Sequence, residues 1–425
     1  MKRLLPWLLG AALAHGVGCS RREPAPRPDD KPEPDASTTL VEAGAPPRVV
    51  PVAIDSSEIA TPGRAVAAFA MDLHRVWRTD TIRRETTAAL SPLSLAGGLA
   101  LVDAGARGDT REELSHALHL SSRVTASDLL RLEGHGATGF AISRGQRAFL
   151  DPRLLPIEAP FRDALGDALA MTDFRDLEGA RGGINRWVGS VTKQRITTLL
   201  PPGSLGEKTR LVLVDALAAS AKWATPFDPA KTHAQSFTTL AGTVESLPMM
   251  VAESVQRFSS SGTYEAIDFA CADREHALLV IAPRSGHFDE VDAALDLPGL
   301  DGILASLALG KVIFSMPRFQ AILPATSVKS LLLAVGVERL FSERADLHGI
   351  TRREDADLHV ADALHAARID VDESGAQVAA ATGVVLDLPS PKASITLDRP
   401  FLFWLRNVRT GAPVVMGRFM GTSRR

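Results

Sequence analysis

Apolar residues recur at helical spacing over residues 65–77, 94–104, 111–118, 161–169 and 184–200, and each stretch predicts a helix. Asp109 and Thr110 ahead of Arg111-Glu112-Glu113 read as a helix start with acids in the first turn, where they complement the exposed N–H groups. Shorter apolar runs at 211–219, 277–282, 312–316, 368–371, 397–405 and 414–419 predict strands. From residue 61 onward there is no repeat and no second linker, so 61–425 reads as one folded domain. Helices dominate its first half and strands its second. That order predicts an α+β fold rather than alternating βαβ units.

The N-terminus follows a different pattern. Lys2 and Arg3 precede an apolar run over 4–14, interrupted only by Pro6 and Gly10, then small residues, then Cys19. The run is too short to span a bilayer and reads as a signal peptide over 1–18. Gly16-Val17-Gly18-Cys19 resembles a bacterial lipoprotein processing site, with Gly16 standing where such sites usually carry Leu. The resemblance implies an acylated Cys19 as the new N-terminus. Residues 19–60, rich in Pro and charge, suit an extended tether. The expectation is secretion across the inner membrane and a lipid anchor in the bacterial envelope; without the anchor the protein would be extracellular.

Composition narrows the function classes. Of 425 residues, 45% are hydrophobic and 23% charged, which excludes a disordered chain. The 47 basic and 50 acidic residues nearly cancel, so there is no electrostatic footprint for nucleic acid. Two cysteines exclude a disulfide scaffold, and Cys271, within Phe269-Ala270-Cys271-Ala272, reads as buried filler. The eleven histidines lack metal-ligand spacing, and no cofactor or metal is implied. Ser190-Val191-Thr192-Lys193 matches S-x-x-K, and Arg409-Thr410-Gly411 resembles the K-T-G element of penicillin-binding enzymes and β-lactamases. Their third element is missing, because neither Asn185 nor Asn407 follows a Ser or Tyr at the required spacing. Such an enzyme stays a remote alternative.

The informative segment is 374–386, Ser-Gly-Ala-Gln-Val-Ala-Ala-Ala-Thr-Gly-Val-Val-Leu, which carries no charge and no proline. Ala-rich sequence favours a helix. The competing reading is a loop able to become a strand, with Ala376, Val378, Ala380 and Thr382 on one face and Gln377, Ala379, Ala381 and Gly383 on the other. Nothing in it would obstruct the middle of a sheet. Pro389 would end such a strand, since proline cannot donate to a ladder.

Asp372-Glu373-Ser374-Gly375-Ala376-Gln377-Val378-Ala379-Ala380-Ala381-Thr382 resembles the reactive-loop hinge of the serpin family. Ser91-Pro92-Leu93-Ser94 is similar to that family's shutter helix start, and Ile184-Asn185-Arg186-Trp187-Val188 with Thr192 and Ile196 to its helix-F exit. The segment from Leu211 through Asp215 to Trp223 and Phe227 is similar to its central strand and breach tryptophan. Leu247-Pro248-Met249-Met250, Met316-Pro317-Arg318-Phe319, Leu340-Phe341-Ser342, Asp362-Ala363-Leu364-His365, Arg399-Pro400-Phe401-Leu402-Phe403 and Met416-Gly417-Arg418 also fit. The motifs stand in family order from residue 61 to 420.

The resemblance implies a serpin fold: helices around a large mixed central sheet, smaller sheets and an exposed reactive-centre loop. It implies a suicide-substrate inhibitor of serine, or cysteine, proteases that is not itself an enzyme. A non-inhibitory serpin acting as a binding or decoy protein is the alternative. An ungapped count from Gly375 places the reactive bond at Pro389-Ser390, with Leu386, Asp387 and Leu388 as alternative positions because Pro is poorly accepted before a cut. No Arg or Lys lies between Ser374 and Pro391, which argues against a trypsin-like target. Ala376 and Val378 depart from the usual Thr and Ala but remain uncharged, so the hinge over Gly375–Thr382 reads as competent. Glu373 and Arg318 match a family pair at the breach, with Trp223. Ser91, Ser94, Asp215 and His365 match the shutter. Asp215 stands where the family usually has Asn, opposite His365, and is expected to accept the same hydrogen bond and raise the histidine pKa. A monomer is expected, and residues 121–139 carry too few bases for a heparin-type site.

Overall fold

In a computed structural model the described residues are 60–79, 85–132, 141–220, 222–353, 358–374 and 393–422. The helices are α1 (Pro62–Trp77), α2 (Pro92–Asp103), α3 (Gly108–Ala117), α4 (Ala126–Arg131), α5 (Ala159–Leu165), α6 (Leu177–Val191), α7 (Phe288–Ala294), α8 (Leu297–Ser306) and α9 (Lys329–Ala334). The strands are β1 (Ala88–Leu90), β2 (Ala141–Leu150), β3 (Leu169–Met171), β4 (Leu211–Ser220), β5 (His233–Thr238), β6 (Val244–Ser260), β7 (Tyr264–Ala270), β8 (His276–Pro283), β9 (Ala308–Pro317), β10 (Phe319–Ser327), β11 (Leu364–Val371), β12 (Ala393–Thr396), β13 (Phe401–Asn407) and β14 (Pro413–Phe419).

Local chemistry sets the helix starts. Thr61 caps α1 by accepting the Arg64 N–H, and Pro62 opens the helix, where a missing N–H costs nothing. Ser91 and Pro92 repeat the device at α2, and Asp176 caps α6. The predicted helix 184–200 is displaced: α6 begins at Leu177 and ends at Val191, where Lys193 and Gln194 take positive φ and turn the chain. Leu199 and Leu200 are nonetheless buried, because Asn185 Oδ1 accepts both their N–H groups and folds the segment back along α6. The helix expected over 161–169 ends at Leu165, and Leu169 is strand. The predicted strand 397–405 begins late: only 401–405 is strand, within β13, and Leu397–Pro400 joins it to β12, with proline at the break in the ladder.

Two sheets result. One has nine strands in the order β1-β14-β13-β8-β7-β6-β9-β12, with β5 also on β6. The other has five, in the order β10-β11-β4-β2-β3. One face of the five-stranded sheet (Val214, Ala216, Ala218, Ala366) lies beneath Ile184 and Val188 of α6 and the 196–200 segment. The other face (Leu217, Ala219, Ala367, Ile369) joins the main core with α1, α2 and the nine-stranded sheet.

Candidate functional site

The middle of the five-stranded sheet is a parallel pair. β11 and β4 run side by side in six-residue register, from His365 opposite Asp215 to Asp370 opposite Ser220. Their neighbours, β10 on β11 and β2 on β4, are antiparallel. The chain leaves β11 at Val371 and reaches Asp372, Glu373 and Ser374 directly above this seam.

Those three residues are anchored. Trp223 Nε1 donates to the Asp372 carbonyl at 2.7 Å, and the Trp223 N–H to the Ser374 carbonyl at 3.3 Å. The indole is itself held by edge contacts with Phe227 and Phe269, at centroid distances of 6.0 and 5.7 Å. Glu373 is buried, and its Oε1 accepts from Thr232 Oγ1 at 2.6 Å and Arg318 Nη2 at 2.5 Å. Burial alone would push this carboxyl up, but the bonds from Arg318 and Thr232 prevail and hold it below the usual glutamate value. Arg318, half exposed, lines an open cleft of about 410 Å³ with Pro229, Asp372, Glu373 and Ser374.

The lower end of the seam is polar and buried. Asp215 and His365 are register partners, both buried. His365 Nε2 accepts the Ser91 N–H at 3.2 Å, and Ser91 Oγ donates to the Val414 carbonyl at 2.7 Å while accepting the Ser94 N–H. Asp215 binds Arg144 of β2, with Nη2 to Oδ2 at 2.8 Å. The expectation that Asp215 would raise the His365 pKa is therefore corrected. Burial, and then the nearby Arg144 charge, push that imidazole down to about 3, so it stays neutral. Burial raises the Asp215 carboxyl, with Arg144 pulling against it. Arg144 was not among the expected site residues, because the run 141–150 carries no strand-like apolar pattern. Its one signal was an arginine beside Gly145 and Gln146, in a run that also carries Arg147.

The structure does not assemble the enzyme-like constellation. Ser190 Oγ donates to the Trp187 carbonyl, one turn back in α6, whereas Arg409-Thr410-Gly411 forms the β13–β14 turn around Asn407. Cys271 is fully buried, and burial pushes its thiol pKa up, away from any thiolate chemistry. The hinge residues Gly375, Ala376, Gln377, Val378, Ala379, Ala380, Ala381 and Thr382, the reactive-bond positions Leu386, Asp387, Leu388, Pro389 and Ser390, and Cys19 lie outside the described residues.

A mixed sheet whose central parallel strands end at the anchored Asp372–Ser374 segment defines a protein built around one seam. The family model described as serpin (serine protease inhibitor) matches residues 64–422, and the chain belongs to that family. It is 27% identical over 350 residues to a serine protease inhibitor of Cyanea capillata, covering 79% of this chain and 92% of that one. It is 29% identical over 351 residues to antithrombin-III of Homo sapiens, covering 77% and 75%. Among solved structures, uncleaved ovalbumin superposes with a TM-score of 0.76 at 23% identity, covering 85% of this chain and all of that one, a likeness of fold. Serpins are protease inhibitors rather than catalytic enzymes.

Proposed function

We propose that this protein is a suicide-substrate inhibitor of serine or cysteine proteases that works by inserting its cleaved loop as a strand between β4 and β11. The observation that carries the reading is the parallel seam from which β11 leads out to the anchored Asp372–Ser374. A chain leaving β11 through Asp372–Ser374 and turning back into the seam would run antiparallel to both neighbours. It would replace one parallel ladder by two antiparallel ones, which are slightly more stable per residue. The uncharged run over 374–386 has side chains that such a strand can accommodate.

In the chemical step the protease nucleophile attacks the carbonyl before the scissile bond. An ester (or thioester) forms, the amide bond breaks, and the new amine leaves on the C-terminal piece. Insertion then carries the acyl-enzyme away before water completes hydrolysis. The hinge over Gly375–Thr382 is the hinge of this motion, with Glu373, Arg318 and Trp223 at its upper end and Ser91, Ser94, Asp215 and His365 at its lower end. The reactive bond is Pro389-Ser390, with Leu386, Asp387 and Leu388 as the alternative positions, and the target is not trypsin-like. Support for these assignments is the sequence between Ser374 and Pro391. The same reading has residues 1–18 removed, Cys19 lipidated, 19–60 as a tether and 61–425 as a monomeric inhibitor domain held in the bacterial envelope.

The test is incubation with a panel of elastase-, chymotrypsin-, subtilisin- and papain-like proteases, followed by a denaturing gel and mass spectrometry of the released C-terminal peptide. A covalent adduct is expected, with the peptide mass giving the bond. Clean cleavage without adduct across the panel would make the protein a binding or decoy serpin instead. Mass spectrometry of the mature N-terminal peptide tests the lipid on Cys19.

A further inference from the structure

We infer that Arg144 is a positioning residue for strand insertion. It ties Asp215 to the first turn of α2, whose other flank holds His365, so the seam is latched through α2 rather than by a bond between Asp215 and His365. The inference rests on the insertion reading above.

Asp215 and His365 face each other across the seam, yet their polar atoms are engaged in opposite directions. Arg144 projects from β2, on the far side of β4, and donates Nη2 to Asp215 Oδ2 at 2.8 Å and Nε to Oδ1 at 3.5 Å. The same Nη2 reaches the carbonyls of Ser94 at 3.3 Å and Leu93 at 3.4 Å, both in the first turn of α2. Gly97 makes this approach feasible: a Cβ there would collide with Arg144 Nη2 and Gln146 Nε2. On the other flank the Ser91 N–H donates to His365 Nε2, and His365 Nδ1 has no hydrogen-bond partner among the described residues. Ser91 Oγ fixes the turn to β14.

The result is a chain of contacts from Asp215 to Arg144, to the first turn of α2, to Ser91 and to His365. It starts on β4 and ends on β11. Admitting a strand moves β4 and β11 apart by about 4.8 Å. A hydrogen bond is lost beyond about 3.5 Å, so α2 cannot keep both arms as the seam opens. The Arg144 arm is charge-assisted and the stronger of the two.

The test uses the intact, uncut protein and a synthetic peptide copying residues 375–388, with annealing followed on native gels. Arg144→Met is expected to anneal the peptide about tenfold faster than the unaltered chain, the loss of one charge-assisted arm. His365→Phe, which leaves the Arg144–Asp215 pair intact, is expected to do the same. Because both arms belong to one latch, the double variant should be no faster than the faster single one. An unchanged rate in Arg144→Met overturns the inference, and so do accelerations that multiply in the double variant. Should Arg144→Met fail to fold, an unchanged rate in His365→Phe overturns it alone. The assay contains no protease. A chain that anneals peptide at the expected rates but traps no protease fails as an inhibitor and keeps its latch. A chain that traps protease while its variants anneal at the unaltered rate loses only the latch.

Discussion

Cutting the loop should make this protein harder to melt, and the size of the effect follows from the seam. In the uncut form β4 and β11 share one ladder of six paired residues. Insertion exchanges that ladder for two, a net gain of one ladder of at least that length. Each ladder hydrogen bond contributes about 0.5–1.5 kcal/mol net, so six contribute about 3–9 kcal/mol. Unfolding entropy is about 2.1 cal/mol/K per residue. Over the domain matched at 64–422, this makes each degree worth about 0.75 kcal/mol. The ladder alone therefore raises the melting midpoint by about 4–12 °C, and burial of Val378 and its neighbours adds to it. The perturbation is a single nick by a protease that cuts without being trapped, confirmed by mass. The assay is calorimetry or circular dichroism on cut and uncut samples at one concentration. A midpoint unchanged by the nick refutes the insertion reasoning, because a loop that stays outside the sheet adds no ladder.

Other outcomes follow from single contacts. Trp223→Phe keeps the ring packing but removes the bond to the Asp372 carbonyl, and should destabilise the uncut protein by about 0.5–1.5 kcal/mol in urea unfolding. Ser91→Ala removes both the α2 cap and the bond to Val414, and should cost about 1–2 kcal/mol by the same measurement. The Glu373 pKa is lowered on folding, so its contribution is present above the ordinary glutamate value and lost as pH falls through the folded one. Melting curves from neutral pH to below 4.5 should show this loss, and Glu373→Gln should flatten it. His365 binds its proton near pH 3 when folded and near 6.5 when unfolded, so the unfolded chain holds more protons between these values. Stability should therefore rise with pH across that window, and His365→Phe should remove that share of the slope.

Much of this architecture was legible along the chain. Pro92 after Ser91, the apolar period of 65–77 and the apolar runs of β8, β9 and β14 each act through neighbours a few residues away, and each lies where its pattern put it. The hinge pattern of acids, a glycine and small uncharged residues is contiguous in the same way, and its residues from Gly375 on lie outside the described ones. The end of α6 was not. Its stop comes from left-handed Lys193 and Gln194, and the apolar residues beyond it are buried by Asn185 rather than by helical continuation. The alternation of β2 was masked by Ser143, Arg144 and Gln146, which are polar in a strand that is mostly covered on both faces.

The order of the elements and the uncharged character of 374–386 can be read along the chain alone, because they depend on contiguous residues and backbone preference. Tertiary structure alone decided the partner of Asp215. Position predicted His365, directly across the ladder, but Arg144, 71 residues earlier in the chain, reaches it from the next strand. A buried carboxylate takes the strongest donor within reach, and which donor lies within reach is set by how the strands and α2 pack.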